Sequence, residues 1–184
     1  GPLHVLRRIE LRERSDVLSG KPFGSAGAYE RIDATAYFAV DPKIAANRII
    51  TDIHLAPGNA QGHVEFSADL SVLKPRDPAR GNGTALFDVC NRGVKLAVWM
   101  MNRGDFSLDP RTAGELGDGF LLEQGFTVVW LGWQADVPRQ PGRMRMEAPV
   151  ATGNGGKIRG LVRSEFTPDR RVFSFSLGDQ DQIP

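Results

Sequence analysis

A β-rich α/β fold is what this sequence predicts, and three observations carry the prediction. Short alternating or β-branched runs fill the first half, separated by Gly, Pro, Asn and Asp clusters. Two nearly continuous apolar runs, residues 84–90 and 126–133, come next, and strands buried on both faces read that way. A short helical pattern between them completes a βαβ unit, which implies parallel strands and a right-handed connection.

The elements follow in order. Residues 5–11 form a first strand, and residues 29–40 a second that stops at Asp41-Pro42, where proline removes a backbone donor. Residues 48–55 are a third. Residues 64–73 alternate Val, Phe, Ala and Leu with Glu, Ser, Asp and Ser, so one face is expected buried and the other wet. After the loop at Lys74-Pro75-Arg76-Asp77-Pro78 comes the apolar run 84–90, which ends at Asn91-Arg92-Gly93. A helix over residues 120–124 is closed by Gly125, and residues 126–133 make the second central strand. Two more strands are expected at 157–166 and 171–177, joined by a hairpin loop at Thr167-Pro168-Asp169-Arg170. All 184 residues read as one β-rich segment.

Composition narrows the partners. Lys plus Arg number 23 against 22 Asp plus Glu, so no strong field draws the chain to nucleic acid or anionic membrane. No apolar run reaches the ~18 to 20 residues of a bilayer span. Cys90 is the one cysteine, which rules out an intrachain disulfide framework. Gly1-Pro2 reads as a cleavage scar and residues 178–184 as a polar cut point. These features leave the compartment open: cytoplasmic or, if a leader was trimmed, periplasmic or secreted.

Serine hydrolysis needs a nucleophile on a strained G-x-S-x-G turn, and the chain contains none. Gly24-Ser25-Ala26-Gly27 has the wrong spacing and reads as a glycine turn. His4, His54 and His63 fall at no spacing that pairs one with Ser and a carboxylate, and none makes H-x-x-x-H, so neither a triad nor a helical zinc site is expected. No cofactor or metal is implied. Gly153-Asn154-Gly155-Gly156-Lys157 lacks the Ser or Thr of a phosphate loop and reads as a hairpin turn. Asn91-Arg92-Gly93 differs: it sits at the carboxyl end of a parallel strand, where open α/β sheets bind ligands and where backbone N–H groups can face a developing oxyanion. The competing reading is a polar turn with Arg92 in a structural ion pair. Lys95 to Met101, with Trp99 and Met100, and also Trp133, suit either pocket lining or core.

Several blocks in order resemble the large bacterial α/β hydrolase domain-containing proteins. They are Phe23-Gly24-Ser25-Ala26-Gly27-Ala28-Tyr29-Glu30-Arg31-Ile32, Leu55-Ala56-Pro57 with Asn59-Ala60, Val64-Glu65-Phe66-Ser67-Ala68-Asp69, the stretch 74–83, Asn91-Arg92-Gly93, and Gly125-Phe126-Thr127-Val128-Val129-Trp130. The resemblance covers about residues 5–177. It implies the N-terminal half of an α/β-hydrolase-type sheet with additional antiparallel strands and hairpins. Residues 83–90 would be the third strand of that sheet, residues 117–124 part of its first helix, residues 126–133 its fourth strand, and Asn91, Arg92 and Gly93 its oxyanion loop. Trp99, Met100 and Trp133 would contact a small-molecule ester substrate, with nucleophile, acid and histidine downstream.

Two functions compete. One is a serine ester hydrolase to which this chain supplies sheet, pocket wall and oxyanion donors, so that the chain alone is inactive. The other is a self-contained, non-catalytic β-domain for binding or assembly. In the first case the fourth strand is expected to lack a neighbour, and self-association or a C-terminal partner piece would cover it through Trp130 and Trp133.

Overall fold

The computed structural model describes residues 5–161, 163 and 165–174. A seven-stranded mixed sheet organises them. Its elements are β1 (Leu6–Asp16), β2 (Pro22–Phe23), β3 (Gly27–Val40), β4 (Val64–Pro75), β5 (Ala85–Asp88), the short helices α1 (Ala97–Met101), α2 (Ala113–Leu116) and α3 (Phe120–Glu123), then β6 (Thr127–Leu131) and β7 (Met146–Glu147). A separate hairpin pairs β8 (Thr152–Gly153) with β9 (Gly156–Lys157). The sheet order is β1-β3-β4-β6-β5, with β2 added to β3 and β7 to β4. β5 and β6 run parallel, Asp88 opposite Trp130, while the other pairs are antiparallel. The βαβ unit expected from the sequence is present.

The long strands follow their alternation, and the helices then reuse the face that alternation would leave wet. Along β4, Val64 and Ala68 are buried on the apolar face, but Ser71, Leu73 and Pro75 are buried on the other. The reason is the helical layer: Val98, Leu116, Leu121 and Leu122 pack with Tyr29, Leu73, Val128 and Trp130 into the main core. A second small cluster, Val40, Ile53 and Val64, closes the far end of the sheet. Gly125 ends α3 in a left-handed conformation (φ 79°), its N–H donating to Leu122 O at 2.9 Å, and a Cβ there would sit 2.9 Å from Asn82 N. Glycine is the residue that such a C-cap takes.

Four expectations are corrected. Residues 48–55 form no strand: Ile50 N donates to Asn47 O at 3.1 Å, Asp52 is left-handed (φ 56°), and Ile53–Leu55 is a 3-10 turn. The β-branched run Ile49-Ile50-Thr51 finds no strand to pair with, and local turns take over its hydrogen bonds. Residues 158–161, 163, 165 and 166 are not in strands either, nor are 171–174, and only a bend occupies 169–170; residues 175–177 of the last expected strand lie outside the described residues. The run 84–90 is not buried on both faces: Leu86 packs against the main core, while Phe87 on the opposite face is 54% exposed, as is Val89, just beyond the strand, at 60%. β6, expected to lack a neighbour, is paired on both sides, and Trp130 is only 1% exposed, so Trp130 is unable to carry an association surface.

One carboxylate ties this end of the sheet together. Asp88 Oδ2, at the end of β5, accepts from Leu96 N and Ala97 N at 2.8 Å each and from the Trp130 indole N–H at 2.6 Å. It caps α1 and satisfies a buried donor of β6 at once. Replacing it leaves three N–H groups without that acceptor, so Asp88→Ala is expected to lower unfolding stability by about 2–4 kcal/mol, read from urea denaturation, with Asp88→Asn intermediate. A loss below about 1 kcal/mol would show that water or a neighbour substitutes for the carboxylate.

Candidate functional site

The residue pattern of β3 and β4 puts polar groups on the face that is apolar nearer α3. Tyr29, Leu73 and Val128 give way along the same face to Arg31, Asp33, Thr35, Ser67 and Asp69. The segments 95–111 and 139–147 fold over this polar half and form, with it, a solvent-open cavity of about 580 Å³, with Lys95, Asp109, Arg111 and Arg145 also in its wall.

Asp109 is the hub. Its Oδ1 accepts from Arg31 Nη1 at 2.8 Å and from Lys95 Nζ at 3.3 Å, and its Oδ2 from Arg111 Nε at 2.6 Å. Arg31 is buried under it and also donates to Pro110 O. Arg111 reaches across to Glu13 of β1 with both Nη atoms, 2.9 Å each, and so ties the segment to the sheet edge. The local sequence aims it: Thr112 and Glu115 form a capping box at α2, and Glu115 Oε2 also accepts from Arg111 N at 2.7 Å. Asp33 accepts from Ser71 Oγ at 2.5 Å, and Asp69 takes Arg12 at 3.0 Å and the amide of Arg145 at 2.9 Å.

The electrostatics follow from these partners. Burial pushes the Asp109 carboxyl up, but the Arg111 hydrogen bond and the charges of Lys95, Arg31 and Arg111 outweigh it and hold it at about 2. The Arg111 and Ser15 hydrogen bonds hold Glu13 at about 2 as well. Lys95, whose side chain is 3% exposed, is pushed below its ordinary value by burial, with the Asp109 charge opposing. The site therefore combines locked carboxylates with one buried ammonium facing a cavity. Among the described residues no group of three or more His, Cys, Asp or Glu side chains could hold a metal ion.

The residues predicted from sequence lie elsewhere. Asn91-Arg92-Gly93 is a tight turn with Arg92 (φ 50°) and Gly93 (φ 77°) both left-handed and Val94 N donating to Asn91 O at 3.0 Å. The amide of Arg92 donates to Gln134 Oε1 at 2.8 Å, and its guanidinium pairs with Asp136 at 2.8 Å. Trp133, 51% exposed, donates its indole N–H to Cys90 O, so it stands beside the turn. Trp99 and Met100 lie on the exposed side of α1, with Trp99 edge-to-face on Phe106 at 5.5 Å. None of these six residues lines the charged cavity. Burial, reinforced by the Asp88 charge, pushes the Cys90 thiol up to about 12, so it stays protonated. His63 meets Arg7 at 3.2 Å, His54 is exposed, and His4 lies outside the described residues.

Sequence reasoning treated Lys95 as the start of an apolar segment and did not single out Arg31, Asp33, Asp109 or Arg111. The available signal was Arg31 and Asp33 at i and i+2 beyond buried Tyr29, charges on a strand face destined for cover. Comparison with protein-family models, curated proteins and solved structures finds no match.

The depressed carboxyls make stability depend on acid. A group held below its ordinary value contributes stability above that value and loses it as pH falls toward the depressed one. For Asp109 and Glu13 the window runs from their ordinary 3.8 and 4.5 down to about 2. The urea midpoint is expected to fall through that window, and Arg111→Gln, which frees both carboxyls from one partner, to flatten the slope. An unchanged slope in Arg111→Gln would show that other carboxylates set it.

Proposed function

We propose that this chain is the N-terminal part of an α/β-hydrolase-type serine ester hydrolase, supplying sheet, pocket wall and an oxyanion loop, with nucleophile, acid and histidine outside these residues. The observation that supports it most is the parallel β5–β6 pair, whose carboxyl ends release the turn 91–93 and the segment 132–134 at one edge of the sheet, in mutual contact through Gln134. That edge is where open α/β sheets bind ligands. In this reading the Arg92 amide is held by Gln134 until a substrate oxyanion displaces the glutamine oxygen, and Trp133 flanks the bound acyl group. The free edge of β5 is accounted for by a further strand pairing along it, from the rest of the hydrolase or from a second copy.

A second reading, a non-catalytic binding domain, has one observation in its favour: the charged cavity is built from β1, β3, β4 and the segments over them, without the turn 91–93. No helix among the described residues is long and apolar enough to cross a membrane.

One experiment separates the two. The protein in its natural reading frame is treated with a fluorophosphonate probe and the adduct mapped by mass spectrometry, alongside hydrolysis of a short aryl ester. The hydrolase reading expects a labelled serine outside residues 1–184 and no labelling within them. An unlabelled protein that turns over no ester sinks it.

A further inference from the structure

We propose that the charged cavity over β3 and β4 is a binding site for a small organic polyanion, a di- or tricarboxylate in chemical class, anchored on the Lys95 ammonium. The inference is independent of the hydrolase reading, since it uses residues of this chain alone.

Geometry carries it. A cavity of about 580 Å³ lies within the range of small-molecule sites, ~300–1,000 Å³. Lys95 Nζ has three N–H donors. Among the described residues its one carboxylate is Asp109, at 3.3 Å, through an oxygen that Arg31 holds more closely at 2.8 Å. The other acids of the wall are engaged: Glu13 by both Nη atoms of Arg111, Asp33 by Ser71 and, at 3.5 Å each, by Arg31 and Arg111, Asp69 by Arg12 and the Arg145 amide, and Glu147 by Arg139 and Arg145. They neutralise arginines and leave the ammonium with donors to spare. A buried cation whose partners among the described residues are one shared carboxylate and the Trp130 ring, 5.9 Å from its Nζ, is costly to keep, and an anionic ligand in the space beside it supplies further acceptors. Burial depresses the protonation of Lys95, so an anion is expected to restore it. Lys95 is the most buried cation of the wall, and nearer the rim Arg145 and Arg139 share the half-exposed Glu147 carboxylate at 3.4 and 2.8 Å. A ligand with a second carboxylate competes with Glu147 for these arginines while its first holds Lys95, which a monoanion is unable to do.

Citrate titrated into the full chain at low ionic strength, followed by calorimetry, tests the proposal, with acetate as the monoanion. Saturable citrate binding is expected, at least about tenfold tighter than acetate and weakened at least about tenfold by Lys95→Met, which keeps the buried stem. The exposed Lys43→Met is the control and is expected to bind as the unaltered chain does. Absence of saturable binding, acetate matching citrate, or Lys95→Met binding as tightly would overturn it. Should Lys95→Met not fold, reductive methylation of Lys95 in the unaltered chain decides: slowing by citrate and not by acetate supports the site, and an unchanged rate removes it.

Discussion

Asp88 Oδ2 is the atom on which this end of the molecule depends. It gathers the amides of Leu96 and Ala97 and the indole of Trp130 onto one oxygen, so the last residue of β5 fixes both the neighbouring strand and the first turn of α1. A five-residue helix does not persist by itself. α1 exists because its N-terminal donors are bound to a carboxylate and because Ala97 and Val98 are buried. The chain between Asp88 and Leu96 must then reverse within a few residues. That constraint produces the left-handed pair Arg92 and Gly93, and it turns Lys95, next to the capped amides, inward to the cavity rather than outward to water.

The charged half of the interior answers a different constraint. Segment 95–111 crosses a sheet face that carries Arg31 and Asp33, and neither charge could be covered without a partner. Asp109 supplies that partner, and Arg111 extends the network to Glu13 on β1. Such buried networks are weak evidence of net stability, since desolvation offsets much of the attraction, whereas deleting one member costs several kcal/mol, about 3–5. Their effect is to fix position: the segment sits on the sheet in the one register where Asp109 meets Arg31 and Arg111 meets Glu13. Lys95 is the member whose place this does not explain, because Asp109 is already balanced by the two arginines.

What was legible in the sequence divides along the same line. β1, β3, β4 and the β5–α3–β6 crossover were readable because alternation and apolar runs report burial directly, and Gly125 reports the helix end. The 152–157 hairpin was readable from its Asn154-Gly155 turn, both left-handed. Residues 48–55 misled because β-branched residues signal a strand only when a partner strand exists, and here Asn47 bonds back to Asp41 O instead. The run 84–90 misled in its burial for the converse reason: its residues suit a strand covered on both faces, yet among the described residues only the face carrying Leu86 is packed against the core. The cavity was not legible because its members, Glu13, Asp33, Lys95, Asp109 and Arg111, are far apart in sequence and meet only through sheet register and the α2 capping box.

The turn 91–93 shows how a structural and a functional account of the same residues can be weighed. The Arg92–Asp136 ion pair is present, but Asp136 is exposed, and such pairs contribute about 0–1 kcal/mol. That is too little to impose two left-handed residues in succession, one of them an arginine. The backbone contacts are stronger determinants. A Cβ on Gly93 would lie 2.5 Å from Met144 O, Gly93 O accepts from Met144 N at 2.9 Å, and Gln134 holds the Arg92 amide. The turn is thus shaped by close approach of the 143–144 backbone on one side and by a side-chain oxygen on the other. Of these two supports, only Gln134 is a flexible side chain at an amide that an incoming oxygen could occupy. Displacing it would leave the 143–144 contact and the Asp88 tether in place, so the Arg92 N–H would stay aimed at the same point. A donor held by the backbone and screened by a removable side chain is compatible with a resting loop, whereas a turn held chiefly by its ion pair would have lost its geometry with its charge.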